Sequence, residues 1–368
     1  MARLGDVPRW AISCSPFLPL RSVNRRHLLR SLPLGAALGL AGGAARATEP
    51  RPTTVRPRRL RPGDTVGLIS PAGVTTDPTD IGRAQAALAA LGLETVVAPH
   101  ALAEVGYFAG TDEQRAADVT RMFADRQVDG ILTMRGGWGC ARLLPHLDFE
   151  VIRANPKVLC GFSDVTSLLL AITARTGLVT FHGPNATSNL NGFTGQSFRR
   201  VVMDADAVTL ANPPFGPDTP VLARYPTTTL RPGQARGPLL GGNLTVLASM
   251  VGTPFLPPLN GAILFVEDVG EAIYRIDRML TQIGQAGLLD GIAGFVFGAC
   301  NRCDHDSGDS AGFTLEEVIR QHIEPLGVPA YTGATIGHLG PKLTVPLGAE
   351  VEIDAEAGTL RLTAPAVM

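Results

Sequence analysis

A chain of 368 residues is long enough for two domains, and 45% hydrophobic against 18% charged residues describes a globular protein with a large core. Aromatics make up only 5%, so that core is built mainly from Ala, Leu, Val and Ile, while 42 glycines point to many tight turns. The net charge of −1 hides an asymmetry: residues 1–47 hold seven arginines and one acid, Asp6, which leaves the rest of the chain at about −7. An acidic body excludes non-specific nucleic-acid binding, which needs a basic face.

The chain opens on an address. Asn24-Arg25-Arg26-His27-Leu28-Leu29-Arg30 precedes a short apolar stretch, 32–45, and then Ala45-Arg46-Ala47. A basic region, a weakly apolar segment and a small-x-small site make a secretory signal over 1–47, and the paired arginines predict the twin-arginine type. The expectation is export of a folded protein by the twin-arginine machinery to the periplasm. The stretch is too short and glycine-rich for a good membrane span, which needs ~20 apolar residues, so no stable membrane insertion is expected after cleavage. Residues 48–59 read as a flexible lead-in.

From 60 onward strands and helices alternate. A turn at 60–64 leads into a strand over 65–70. Helix 78–92 follows, with Ile81, Ala84, Ala87, Leu88 and Leu91 at helical spacing. Then come strand 94–98, a helix near 112–124, strand 128–134, the Arg135-Gly136-Gly137 turn, helix 140–145, strand 158–161 and helix 165–175, ending near Gly177. This alternation predicts an α/β fold, a parallel sheet covered by helices on both faces, for a domain over 60–185. Residues 186–236 are rich in Pro, Thr, Asn and Gly; they read as a connector with one helix around 196–205. A second domain over 237–368 is smaller and richer in strands. It holds a helix opened by Gly241-Gly242-Asn243-Leu244, strands 262–266 and 294–299, helices 273–284 and 313–323, and a β-meander over 343–362.

Cys300-Asn-Arg-Cys303, with His305 and Asp306 nearby, suggests a metal or redox site. A single CxxC lacks the second pair that zinc requires, so the thiols are read as structural or incidental. No metal and no cofactor are expected.

The chemistry points to Ser163. In Val158-Leu-Cys-Gly-Phe-Ser163-Asp164 an apolar strand ends in Gly-x-Ser and a helix starts at once. Such a turn lifts a hydroxyl out of the sheet and leaves helix N–H groups free for an anion. A serine nucleophile needs a histidine, and the histidine a carboxylate. Among seven histidines, His182 and His338 follow short β-rich runs and sit among glycines. Glu267 ends the apolar run Ile263-Leu-Phe-Val, where a charge is costly unless paired. Gly136 and Gly137, after a buried strand, allow backbone N–H groups to approach an oxyanion. Arg135 is placed to bind a carboxylate or to brace the turn.

Arg135-Gly-Gly-Trp-Gly with Arg142-Leu-Leu-Pro, Gly161-Phe-Ser-Asp, His182-Gly-Pro, Gly241-Gly-Asn-Leu, Glu267-Asp268 with Tyr274-Arg-Ile-Asp-Arg278, and Gly337-His338 occur in that order. Together they resemble the LD-carboxypeptidases, serine peptidases that include muramoyl-tetrapeptide carboxypeptidase and the microcin C immunity peptidases. The resemblance covers about 60–365. It implies a Rossmann-like N-terminal domain followed by a β-rich C-terminal one. It also implies Ser163 as nucleophile, Glu267 as acid and His338 as base. The oxyanion donors would be the backbone N–H groups of Asp164 and of the Gly136-Gly137 turn, and His182 would be structural or line the substrate. The implied partner is a murein-derived peptide, and a homodimer is the family's common assembly. A peptidyl-nucleotide hydrolase of the microcin C type and a non-catalytic periplasmic peptide binder are the alternatives.

Overall fold

The computed structural model describes residues 51–214, 225–303 and 312–368; the expected signal over 1–47 lies outside them. In chain order the first layer comprises β1 (Thr65–Ile69), α1 (Thr79–Ala89), β2 (Glu94–Val97), α2 (Asp112–Ala124), β3 (Gly130–Thr133), α3 (Cys140–Leu143), α4 (Phe149–Ala154), β4 (Val158–Gly161), α5 (Thr166–Thr176) and β5 (Thr180–His182). Then follow α6 (Gly192–Val202), β6 (Thr209–Leu210), β7 (Thr228–Arg231), β8 (Gln234–Asn243), α7 (Leu244–Ser249), β9 (Ile263–Val269), α8 (Ile273–Gln285), β10 (Gly294–Asn301), α9 (Leu315–Ile323), β11 (Ala330–Ala334), β12 (Val345–Leu347), β13 (Glu350–Asp354) and β14 (Thr359–Leu362).

Local chemistry fixes several boundaries. Thr111 and Gln114 cap α2 reciprocally, as Thr314 and Glu317 cap α9, so orphan N–H groups at each start are satisfied. Helix α5 stops at Gly177, whose φ of 76° suits a residue without Cβ. On α8 the buried residues are Ile273, Ile276, Leu280 and Ile283, one apolar stripe as the spacing predicts.

The first sheet runs β12-β5-β4-β3-β1-β2, and the second β6-β14-β13-β8-β9-β10-β11-β7. Strands β1 to β5 are mutually parallel, as are β8 to β11. Buried parallel strands read as continuous apolar runs, and β3 and β4 are buried at every position.

Four expectations need correction. The tail is no meander: β12 leaves its neighbours and pairs antiparallel with β5 of the first sheet, Val345 opposite His182 and Leu347 opposite Thr180. Its middle residue is Pro346, which lacks an N–H, and β12 occupies the sheet's edge, where that loss is tolerated. The stretch 186–236 is more than a connector, since it supplies α6, β6, β7 and the start of β8. Residues 51–59 of the expected flexible lead-in are docked: Val55 bridges Leu178, Arg59 N–H donates to Met368 O (2.9 Å) and Met368 N–H to Pro57 O (2.9 Å). Finally, Cys300 and Cys303 are joined as a disulfide, while His305 and Asp306 lie outside the described residues.

Candidate active site

Strand β4 delivers the chain through extended Phe162 into Ser163, whose φ is 68°. A left-handed backbone in a residue with a Cβ costs ~1–3 kcal/mol and persists only where the surroundings impose it. Here it turns the hydroxyl out of the sheet before α5 begins. The next residue, Asp164, is buried and accepts the Cys140 N–H (2.8 Å), tying the elbow to the start of α3. Burial pushes the Asp164 carboxyl up, against the pull of the Cys140 hydrogen bonds and Arg115.

Gly136 faces this elbow. A Cβ there would lie 2.7 Å from Ser163 Cβ and 2.9 Å from Ser163 Oγ, so only glycine lets the backbone come so close. Gly137 holds a φ of 118°. The N–H groups of both glycines meet no acceptor among the described residues, which leaves them available beside the hydroxyl.

His338 and Glu267 come from the second sheet. Glu267 lies on β9, opposite Asn243 of β8, and is 0% exposed. His338 follows β11 in a loop held by Asn301, whose Nδ2 donates to His338 O (3.0 Å). His338 Nδ1 lies 2.7 Å from Glu267 Oε2, and its Nε2 lies 3.0 Å from Ser163 Oγ. The network assigns the tautomer: Nδ1–H donates to the carboxylate and Nε2 accepts the serine hydroxyl. The Phe162 and His338 rings pack in a T-shaped arrangement, with centroids 4.9 Å apart. Burial alone would push the Glu267 carboxyl up. The neighbouring imidazoles of His182 and His338 outweigh it and hold the group at about 2.

A cleft of about 330 Å³ opens over Ser163 and His338, with Asp80, Arg135, Asn185 and Ser188 among its walls. A larger cavity of about 480 Å³, walled in part by Arg51, Pro258 and Gly348, contains none of the expected site residues. The chemistry lies in the smaller one. A nucleophile, its base and an orienting acid, next to free N–H groups, are the parts needed for acyl transfer through a covalent ester.

Residues 66–183 match the LD-carboxypeptidase N-terminal domain, and residues 236–353 match the LD-carboxypeptidase C-terminal domain. The chain belongs to the LD-carboxypeptidase family. A Streptomyces coelicolor protein named as a carboxypeptidase is 40% identical, covering 85% of this chain and 97% of its own length. The murein tetrapeptide carboxypeptidase of Pseudomonas aeruginosa is 33% identical, covering 77% and 91%. Among solved structures, the microcin C7 self-immunity protein MccF, in its wild-type apo state, superposes with a TM-score of 0.77. It is 25% identical and covers 85% of this chain and 100% of its own. This LD-carboxypeptidase is therefore an enzyme of the serine carboxypeptidase class, with the family's α/β fold.

In this LD-carboxypeptidase, Ser163, His338 and Glu267 stand in one hydrogen-bonded row, and Gly136, Gly137 and Asp164 surround the serine. Arg135 sits exposed on the cleft wall, donating to Val74 O (3.2 Å). His182 departs from the substrate-binding expectation. It is 1% exposed, with Nε2 3.7 Å from Glu267 Oε1, longer than a hydrogen bond, and neither ring nitrogen has a hydrogen-bond partner among the described residues. It is not among the residues lining the cleft.

Several neighbours escaped the sequence reading. Asn243 caps α7 through Oδ1 and points Nδ2 at Asp268 Oδ1 (3.0 Å) and Glu267 Oε1 (3.4 Å). Its Gly-Gly-Asn motif signalled the cap but not the acid it faces. Lys342, one of only two lysines in the chain, is 6% exposed, with Nζ 4.9 Å over the Phe162 ring. Burial pulls its ammonium down to about 8, partly countered by Glu267. A lone lysine in a loop carries no sequence signal of burial.

Proposed function

We propose that this LD-carboxypeptidase removes the C-terminal D-amino acid from murein-derived peptides, cleaving an L,D bond with Ser163 as nucleophile, His338 as general base and Glu267 as the orienting acid. The observation that carries this reading is the unbroken row from Glu267 Oε2 through His338 to Ser163 Oγ, at 2.7 and 3.0 Å. A serine hydroxyl is a weak nucleophile unless a base stands within hydrogen-bond reach. His338 Nε2 takes the hydroxyl proton as Oγ bonds to the carbonyl carbon. The charge that develops on the carbonyl oxygen is met by the N–H groups of Gly136, Gly137 and Asp164, each such donor contributing ~3 kcal/mol. Glu267 stays ionised and steadies the imidazolium. His338 then gives its proton to the departing amine. Water repeats the sequence on the ester, returning the proton to Ser163.

The substrate reading is supported by the Pseudomonas aeruginosa relative, which is named for a murein tetrapeptide. A second reading, hydrolysis of a peptidyl-nucleotide, is favoured by the likeness to the microcin C7 self-immunity protein of Escherichia coli, 29% identical over 83% of this chain. The deciding assay offers the enzyme a murein tetrapeptide and an aminoacyl-sulfamoyl nucleoside side by side. We expect the tetrapeptide to be cleaved with higher kcat/KM. We also expect Ser163→Ala to lose at least ~10³-fold of that activity while keeping its melting temperature, and a serine-directed phosphonate to label Ser163 stoichiometrically. Retained turnover in Ser163→Ala would remove the serine from the mechanism; preference for the nucleoside would replace the substrate.

A further inference from the structure

The cleft over Ser163 contains a polar group that neither the triad nor the oxyanion turn uses. Asn185, two residues beyond Gly183 at the end of β5, is 4% exposed. Its Oδ1 accepts from Thr133 Oγ1 (2.6 Å) and from Phe162 N–H (3.2 Å). A backbone N–H can only donate, so the oxygen must face Phe162 and the NH₂ must face away. A Cβ at Gly161 would lie 3.0 Å from that oxygen, so the glycine leaves the amide the room it occupies. Asn185 forms part of the cleft wall, and its Nδ2 meets no acceptor among the described residues. The two hydrogen bonds on its oxygen, from Thr133 Oγ1 and Phe162 N–H, fix the direction of this donor.

Arg135 lines the same cleft. It is exposed, spends one N–H on Val74 O (3.2 Å), and has no carboxylate partner among the described residues. The acid of the cleft, Asp80, is already paired with Arg83. The N–H groups of Gly136 and Gly137 serve the reacting carbonyl. An oriented amide donor and a cation therefore remain in the lining of the same cleft for a second, anionic acceptor. In a peptide cut at its last bond, that acceptor is the terminal carboxylate.

We propose that Asn185, with Arg135, reads the free C-terminal carboxylate of the substrate and thereby restricts this site to the last peptide bond. The proposal rests on Ser163 being the nucleophile and names two specificity determinants that do not touch the reacting atoms. Replacement by the isosteric Asn185→Asp keeps an oxygen for Phe162 N–H and Thr133 Oγ1 but turns a second oxygen, in place of a donor, towards the ligand.

The test compares murein tetrapeptides that differ only in ending as an acid or as an amide, titrated calorimetrically against Ser163→Ala protein with and without Asn185→Asp or Arg135→Ala. We expect the acid to bind at least ten-fold tighter than the amide, and either added substitution to reduce that preference ten-fold or more. An unchanged acid-over-amide ratio in both variants would overturn the proposal. Phosphonate labelling of Ser163 in the single variant Asn185→Asp reports that the fold and the triad survive. If labelling is lost, Asn185→Ala takes its place in the titration. Because binding is read in a Ser163→Ala background, the outcome is independent of turnover: absent labelling in the wild type would defeat the nucleophile assignment, whereas a flat binding ratio defeats only the carboxylate assignment.

Discussion

At the residue scale the site depends on backbone freedom at glycine as much as on its reactive side chains. Ser163 accepts a φ of 68° that aims its hydroxyl, and Gly136 lies so near it that any side chain would collide. Gly337 does the same for the base. With φ 95° it precedes His338, and a Cβ there would overlap the Glu267 carboxylate. Gly337→Ala should therefore separate acid from base and lower kcat/KM by roughly a hundred-fold or more, since displacement of about 1 Å at a catalytic group costs that much. Steady-state kinetics on a murein tetrapeptide, with a thermal melt to verify folding, would measure it; near wild-type kcat/KM would mean the His338–Glu267 contact is dispensable. Ser163 and Glu267 stood out in the sequence at the ends of apolar runs, whereas local pattern offered His182 and His338 alike and only the order of the family's motifs pointed to His338. Asn185 did not stand out, because its importance arises from Thr133 and Phe162, which lie 52 and 23 residues away.

At the scale of elements, the stretch read as a connector turns out to position the base. Asn212 lies in it, just after β6. Its Nδ2 donates to Gly333 O (2.7 Å) and Thr227 Oγ1 (3.0 Å), and its Oδ1 accepts from Thr335 N–H and Thr335 Oγ1 (both 2.7 Å). Three of the four bonds converge on the end of β11, three residues before His338, and the fourth reaches the residue before β7. Asn212→Ala would leave the Thr335 N–H, in a residue 0% exposed, without its partner. We expect a loss of about 2–3 kcal/mol in urea unfolding and a several-fold slower phosphonylation of Ser163. A variant that matches the wild type in both would show that β11 holds the loop unaided. Low hydrophobicity and many prolines hid this role, because a short strand pinned by one side chain has no periodicity to detect. Strand β12 was legible as a strand but not as a member of the first sheet. Three residues cannot specify a partner; the edge of β5 does.

For the whole molecule, one core cluster spans both sheets, from Leu60 and Leu68 through Leu239 and Phe265 to Leu347 and Val367. The contact between α5 and the end of β8, where Asn243 N–H donates to Thr166 Oγ1 (3.0 Å), joins the serine's helix to the acid's neighbour. The charged site is thus built into the core, and stability should report its ionisation. Glu267 sits at about 2 in the fold against an ordinary 4.5. Its contribution is therefore fully present above about pH 4.5 and is lost as pH falls towards 2. Asp164 and Asp268 are pushed the other way, chiefly by burial, and oppose that loss. Comparison with Glu267→Gln isolates the acid. Urea midpoints measured from pH 5 down to 2.5 should fall more steeply in the wild type than in Glu267→Gln, and parallel curves would contradict an ionised buried Glu267.

The sequence by itself determined the α/β alternation, the elbow at Ser163, the family, and the triad candidates, because each is encoded in short-range pattern: apolar runs, helical spacing, glycines at turns and motifs in order. The tertiary structure alone decided which residues meet. It buried His182 beside Glu267 and outside the cleft lining, paired β12 with β5, drew Asn212 to the end of β11, and fixed the Asn185 oxygen between Thr133 and Phe162. Those outcomes depend on distances between residues far apart in the chain, and such distances are set by packing two sheets onto one core, which no local pattern records.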